Sequence, residues 1–245
     1  MLDIKPFLKN YAHTYYKGAF LGMILAIETS TTIGSIAILR DERIVYQDFA
    51  DLKTTHSETI MVRIDNALKS LKYAKSDLKA VCISNGPGSF TGLRIGLATA
   101  KGICTGLKIP LVAFNTLEVL AANVYGTDRN ILSILPAHKN EAYIAVFDPF
   151  LNVLIETHNR ENDKVLENLS GKFICVGDIQ HIASSANPPL ASGVGERCVN
   201  YDFALALPHQ NMLVAAAQFS LLKHKNISLV YDQDYIYKLE PCYYK

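Results

Sequence analysis

The order in which strands and helices are predicted along the chain is the feature that most limits its fold. Three strand-like segments, a helix, another strand and further helices follow one another from residue 23, and a similar order returns after residue 126. Strands that alternate with helices are typical of α/β proteins. We therefore predict two similar α/β lobes with mixed sheets, a first over residues 23–126 and a second over 127–245. The predicted strands cover 24–27, 35–39, 43–49, 80–84, 109–114, 131–135, 141–147, 151–156 and 173–176, and the predicted helices cover 57–71, 91–106, 117–125 and 210–223.

Composition excludes several classes of protein. The chain has 245 residues, 49% of them hydrophobic and 19% charged, which is typical of a globular protein and not of a disordered or collagen-like one. A formal net charge of +1 gives no overall field that attracts nucleic acid, so any RNA contact has to be local. The cysteines lie far apart without a C-x-x-C pair, which argues against a disulfide framework or a zinc site and predicts a cytoplasmic protein. They are Cys82, Cys104, Cys175, Cys198 and Cys242.

The first 22 residues are predicted to be an N-terminal extension, with Met23 as an alternative start. An apolar run over residues 18–27 resembles the core of a secretion signal, but no cleavage site follows it. The run is also too short to span a bilayer. Its second half reads as a buried strand, so we expect no membrane association.

A glycine-rich segment, Asn85–Gly96, follows a predicted strand and opens a predicted helix. Backbone N–H groups in such a place can hold an anion, but the spacing is not that of a P-loop and Pro87 removes a donor. A structural role is therefore favoured over phosphate binding. Gly92, Gly96 and Ala100 recur on one helical face, which predicts close packing against another element. The chain's own sheet and a partner subunit are equally compatible with that pattern.

The loop Glu28, Thr29, Ser30, Thr31 follows the first predicted strand. Nucleotide-binding proteins of the actin, chaperone and sugar-kinase type carry an Asp-x-Gly-Thr loop in this place, and here Ser30 replaces the glycine that lets the backbone approach phosphate. Glu28 could still orient a metal-bound water. We interpret the loop as a degenerate nucleotide site with weak binding or none.

Nothing in the sequence predicts a catalytic residue, a metal ligand or a bound cofactor. No two of the seven histidines are three or four residues apart, and no G-x-S-x-G nucleophile motif is present. A basic run, Lys69, Lys72, Lys75 and Lys79, is typical of a solvated face. Contact of this run with tRNA phosphates stays open as an alternative.

Three of these segments resemble the bacterial TsaB (YeaZ) family: Ile24–Ser30, His56–Glu58 and above all Gly86–Gly96. The resemblance runs from about Met23 to Phe147 and is weaker afterwards. A later family motif is kept here only at Ala137, Glu141 and Tyr143.

The resemblance implies a two-lobed fold of the actin-like ATPase class and a role in making N6-threonylcarbamoyladenosine beside the anticodon of tRNA. It further implies a non-catalytic subunit that pairs with the catalytic paralogue TsaD, recruits the P-loop ATPase TsaE, meets tRNA through the complex and self-associates when alone. An active ATP-dependent transferase or kinase of the same fold stays open as an alternative. A metallopeptidase is disfavoured because the histidine pair is missing.

Combined with the resemblance, the small-residue helix face predicts where the partner subunit binds. We expect Gly96→Leu to weaken pairing with TsaD while leaving the fold intact, and Arg94 to be a second contact. The predicted interface consists of Gly88, Phe90, Gly92, Arg94, Gly96 and Ala100.

The degenerate loop leads to a first testable prediction. Because Ser30 stands in the glycine position, we expect the purified chain to hydrolyse ATP negligibly. Release of inorganic phosphate measures this. Robust turnover that is abolished by Glu28→Ala would contradict the interpretation.

Overall fold

The first of two five-stranded sheets is built around strand β1. The computed structural model describes residues 22–41, 43–51, 59–165, 167, 169, 173–177, 201–202, 225 and 229–244. All six residues of β1 are buried because β1 lies in the middle of its sheet, antiparallel to β2 and parallel to β4. The strand order is β3-β2-β1-β4-β5. The strands are β1 (Met23–Glu28), β2 (Ile33–Arg40), β3 (Arg43–Asp51), β4 (Leu78–Ser84) and β5 (Leu111–Phe114).

The second sheet repeats this arrangement strand by strand. Its order is β10-β9-β6-β7-β8, with the central β6 antiparallel to β7 and parallel to β9. The prediction of an α/β fold with two similar mixed sheets is confirmed. The strands are β6 (Asn130–Pro136), β7 (Glu141–Phe147), β8 (Val153–Glu161), β9 (Phe173–Gly177) and β10 (Tyr201–Asp202).

The described helices begin and end at recognisable capping residues. The hydroxyl of Ser89 accepts the N–H of Gly92 at the start of the long second helix, and Asn115 caps the third through the N–H of Leu117 at 2.8 Å. The helices are α1 (Thr59–Ser70), α2 (Phe90–Leu107), α3 (Thr116–Ala122) and α4 (Gln233–Lys238), with single 3₁₀ turns at Lys75–Asp77 and Asn162–Lys164. None of them is long and apolar enough to cross a membrane.

Alternation along β1 divides the hydrophobic core between its two faces. Leu25 and Ile27 face α1 and α2, whereas Ile24 and Ala26 face the second sheet. Helix α3 lies in the core that joins the two sheets, and all seven of its residues are buried. The core between the sheets is therefore continuous through α3.

Several predicted boundaries differ from the observed ones. Helix α3 ends at Ala122 instead of 125, because the side-chain amide of Asn123 bonds to the carbonyls of Val119 and Leu120. Strand β8 runs five residues beyond the predicted 156, because an edge strand accepts polar residues that interrupt hydrophobic alternation. Strand β5 starts at Leu111 and not at 109.

Several predictions fall on residues outside the described part of the chain. These are residues 1–21 of the predicted extension, the first two residues of the helix predicted over 57–71, the helix predicted over 210–223, and Cys198. The division of the chain at residue 126 stays a prediction. Residues 231–239, which the sequence assigned to the second lobe, instead place Tyr231, Ile236 and Leu239 in the core that α1 and α2 form with the first sheet.

Candidate functional site

The two motifs singled out by the sequence, the loop 28–31 and the glycine-rich segment, lie in direct contact. The N–H of Ser89 donates to the carbonyl of Ser30 at 2.6 Å. The hydroxyl of Thr29 donates to the carbonyl of Gly92 at 2.8 Å, and this bond is buried. The end of β1 is thus fastened to the first turn of α2.

Glycine is required in α2 because this loop approaches its backbone so closely. A Cβ at Gly92 would lie 2.0 Å from the carbonyl oxygen of Thr29, and a Cβ at Gly96 would lie 2.1 Å from the Thr29 hydroxyl. One at Gly88 would lie 2.2 Å from the carbonyl oxygen of Ser30. No side chain fits at these separations.

This packing corrects part of the predicted interface. Gly92, Gly96 and Ala100 are buried inside the chain, so they cannot meet a partner subunit. Of the two alternatives that the sequence left open, these three residues pack within their own chain. The expectation that Gly96→Leu leaves the fold intact is wrong for the same reason.

Of the other predicted interface residues, Phe90 and Arg94 lie on the surface and Gly88 is half-buried. The Arg94 guanidinium carbon is 3.7 Å from the centre of the Phe90 ring, within the range of a cation–π contact. The Tyr243 ring lies 5.3 Å from the Phe90 ring, and Arg94 Nε donates to the Tyr243 hydroxyl at 3.3 Å. Their contact with a partner stays a prediction.

Glu28 is turned into the protein. Its carboxylate accepts the N–H of Ser30 at 2.7 Å and also the Ser30 hydroxyl, and the residue has no exposed surface. Burial raises the pKa of Glu28, although hydrogen bonds from Ser30 and Ser84 act in the opposite direction. In this position the carboxylate stabilises its own loop and does not reach a solvent-borne ligand.

An open groove runs between α1 and α2 on the side away from the loop. A Cβ at Gly102 or at Gly106 would meet no atom within 4 Å, in contrast to Gly92 and Gly96. The helix therefore carries a second series of small residues, Ala98, Gly102 and Gly106, with the same spacing of four. The groove is lined by Met61, Ile64, Lys75, Leu78, Ala98, Thr99, Gly102, Ile103, Gly106 and Leu107.

The basic run near the end of α1 is partly neutralised. Lys75 and Lys69 both pair with Asp65, at 2.6 Å and 3.4 Å. Hydrogen bonds from these two lysines, that from Lys75 first, lower the pKa of Asp65. Lys72 and Lys79 are exposed, and a tRNA contact stays a prediction.

The thiols offer no activated nucleophile in the described part of the chain. Burial raises the pKa of Cys104 and Cys175 to about 12 and raises that of Cys82 further in the same direction. In the same residues, no three His, Cys, Asp or Glu side chains gather as metal ligands would.

No sequence pattern predicted two further contacts, made by Cys242 and Tyr244. Cys242 N–H donates to the carbonyl of Asn85 at 2.7 Å, and the side-chain amide of Asn115 donates to the Tyr244 hydroxyl at 2.9 Å. The partners lie 157 and 129 positions apart, beyond the reach of any local pattern.

Comparison with known proteins identifies the family. A family model described as TsaD, tRNA N6-adenosine threonylcarbamoyltransferase, matches residues 50–227. A relative from Escherichia coli named tRNA threonylcarbamoyladenosine biosynthesis protein TsaB is 30% identical, over 63% of this chain and 70% of its own length. A relative of the same name from Buchnera aphidicola is 31% identical, over 64% and 78%. The chain belongs to the TsaB family.

A further TsaB relative agrees with this assignment, and two solved structures share the fold. The TsaB protein of Bacillus subtilis is 36% identical, and the chain spans 58% of its length. YeaZ from Pseudomonas aeruginosa has a TM-score of 0.69 and 21% identity, over 91% of this chain and 99% of that one. A P. aeruginosa protein described as similar to peptidase YEAZ has a TM-score of 0.71 and 20% identity, over 91% and 100%. At these identities the structures show a common fold.

Two glycines of α2 in this TsaB family member provide a matched pair of variants. Gly102→Ala adds a methyl group in open space and should stabilise the fold by up to about 1 kcal/mol through helix propensity. Gly96→Ala places the same group against Thr29 and should destabilise the fold by about 1–3 kcal/mol. Urea unfolding of both variants measures the difference. Equal changes in the free energy of unfolding would show that the loop moves away from the added methyl group without loss of stability.

The raised pKa of Glu28 predicts how the free energy of unfolding changes with pH. Its pKa in the folded protein lies above the ordinary 4.5, so its contribution is complete below about pH 4.5 and is lost as pH rises through the raised value. Glutamine does not titrate, so the Glu28→Gln variant does not lose stability in this way as pH rises. We expect the variant to gain more free energy of unfolding relative to wild type at pH 8 than at pH 5. An equal difference at both pH values would contradict this sign.

Proposed function

We propose that this chain is a non-catalytic subunit in the synthesis of N6-threonylcarbamoyladenosine on tRNA, and that it pairs with the catalytic subunit TsaD. Membership of the TsaB family supports a role in threonylcarbamoyladenosine synthesis. The single observation that carries the pairing is the open groove between α1 and α2, with Gly102 and Gly106 on its floor.

The buried state of Glu28 supports the non-catalytic part of the proposal. An enzyme of the actin-like fold needs a carboxylate that faces the cleft, and here the corresponding group is bonded to its own loop. The glycine-rich segment is filled by Thr29 and Ser30 in the same way. Chemistry is therefore assigned to the partner.

The groove fits a helix pair of a related subunit. The exposed side chain of Met61 lines it on α1, and the glycines of α2 allow a partner backbone to approach closely. The TsaD-type family model matches most of this chain, so TsaD has a similar fold and presents the corresponding two helices. Two like subunits can then meet about a pseudo-twofold axis.

A second copy of the chain would use the same surface, so self-association and pairing with TsaD exclude each other. Recruitment of TsaE, contact with tRNA through the complex and a cytoplasmic location complete the proposal. They are inferred from the family.

A charge placed in the groove tests the proposal. Gly102→Arg should retain the melting temperature, because open space surrounds that position, and should lower the affinity for TsaD at least tenfold. Asn66→Arg adds the same charge to an exposed site on α1 outside the groove and is the control. Co-purification with TsaD and the threonylcarbamoyladenosine content of tRNA in a reconstituted reaction measure the two effects.

Two outcomes would count against the proposal. If Gly102→Arg binds TsaD as tightly as the wild type does, the interface lies elsewhere on the molecule. Undiminished tRNA modification in a reaction that lacks this chain would remove its role in the process.

A further inference from the structure

The last residues of the described chain form a strap, residues 240–244, that starts from a firm anchor. Ahead of the strap, Ile236 is 2% exposed in the core beside α1 and α2, and Lys101 on α2 donates to the carbonyl of Tyr237 at 3.1 Å. The anchor fixes where the strap begins.

The strap then follows the segment after β4. Cys242 N–H donates to the carbonyl of Asn85 at 2.7 Å, and the side-chain amide of Asn85 lies 3.4 Å from the Cys242 sulfur. A Cβ at Gly86, whose φ is +123°, would lie 2.5 Å from the Cys242 carbonyl oxygen. Backbone thus lies against backbone, which glycine alone permits.

Tyr244 reaches from the first sheet to the second. Its hydroxyl accepts from the side-chain amide of Asn115 at 2.9 Å, and the same amide lies 3.0 Å from the hydroxyl of Thr157 on β8. Its ring meets the ring of Tyr143 on β7 edge-on at 6.3 Å. One side chain therefore contacts Asn115, directly after β5 of the first sheet, and Tyr143 on β7 of the second.

The position of the strap is informative. Asn85 and Asn115 directly follow β4 and β5, so the strap lies at the carboxyl ends of the parallel strands of the first sheet. Open α/β sheets bind their ligands outside these ends. Here the chain's own residues take that place.

We propose that the strap is an internal ligand, which adds to the core through α3 and narrows the range of relative positions of the two sheets, in place of an external small molecule. This inference stands apart from the proposed pairing, because the groove between α1 and α2 lies elsewhere. The strap is bound through hydrogen bonds and ring contacts, and its side chains are exposed or half-buried. Its removal therefore leaves the anchor and both cores in place.

A chain that ends at Leu239 tests the proposal, together with a synthetic peptide of residues 240–245 as the probe. Spin labels carried by unnatural amino acids at the exposed positions Val45 and Leu154, one on each sheet, report the distance between the sheets. We expect one narrow distance distribution for the full chain and a broad one for the shortened chain. The peptide should restore the narrow distribution, and a peptide with Tyr244→Ala should not.

Amide exchange at the strap's attachment gives a second readout. The N–H of Thr116 donates to the carbonyl of Gly86 at 2.8 Å, and we expect its exchange to become about tenfold faster without the strap. Tyr237→Ala in the full chain is the control, because that side chain is exposed and only its carbonyl is used. Should the shortened chain not fold, Tyr244→Ala in the full chain is measured in its place.

An unchanged distance distribution in the shortened chain, or in Tyr244→Ala, would overturn the proposal. So would a peptide that binds the shortened chain without narrowing the distribution, since it would show that the strap covers the surface but does not hold the sheets.

Discussion

The contact of Thr29 with helix α2 is the interaction on which the first lobe depends. The Thr29 hydroxyl and carbonyl lie against Gly96 and Gly92, so the loop after β1 fixes how far the helix stands from the sheet. That distance in turn sets the start of the helix at Ser89, which bonds to Ser30. Helix α2 lines both the groove and the surface under the C-terminal residues, so both are positioned by this one contact.

The loop that the sequence predicts to be a degenerate nucleotide site keeps its acidic group inside the protein. Ser30 donates both its N–H and its hydroxyl to Glu28, and this keeps the carboxylate inside the loop. A glycine in place of Ser30 would supply the N–H alone. The residue that departs from the nucleotide-binding pattern is therefore the one that holds the acidic group away from the cleft.

Much of the fold could be predicted from the sequence because its signals are local. Central strands such as β1 are continuous apolar runs, which a sequence pattern predicts directly. The glycine-rich segment could be recognised, but α2 carries two series of small residues with equal spacing. Only tertiary packing decides which series faces inward. The contacts of Cys242 and Tyr244 join residues more than 120 positions apart, and periodicity carries no information on such pairs.

The small residues on the two faces of α2 are under different evolutionary constraints. On the inner face, a larger residue at position 96 meets the side chains of residues 29 and 83, so the compensating changes lie within the same gene. On the outer face, residues 102 and 106 meet nothing in their own chain. If another subunit covers them, their compensating changes arise in that subunit's gene. One helix would then carry two sets of co-varying positions, one within the protein and one between proteins.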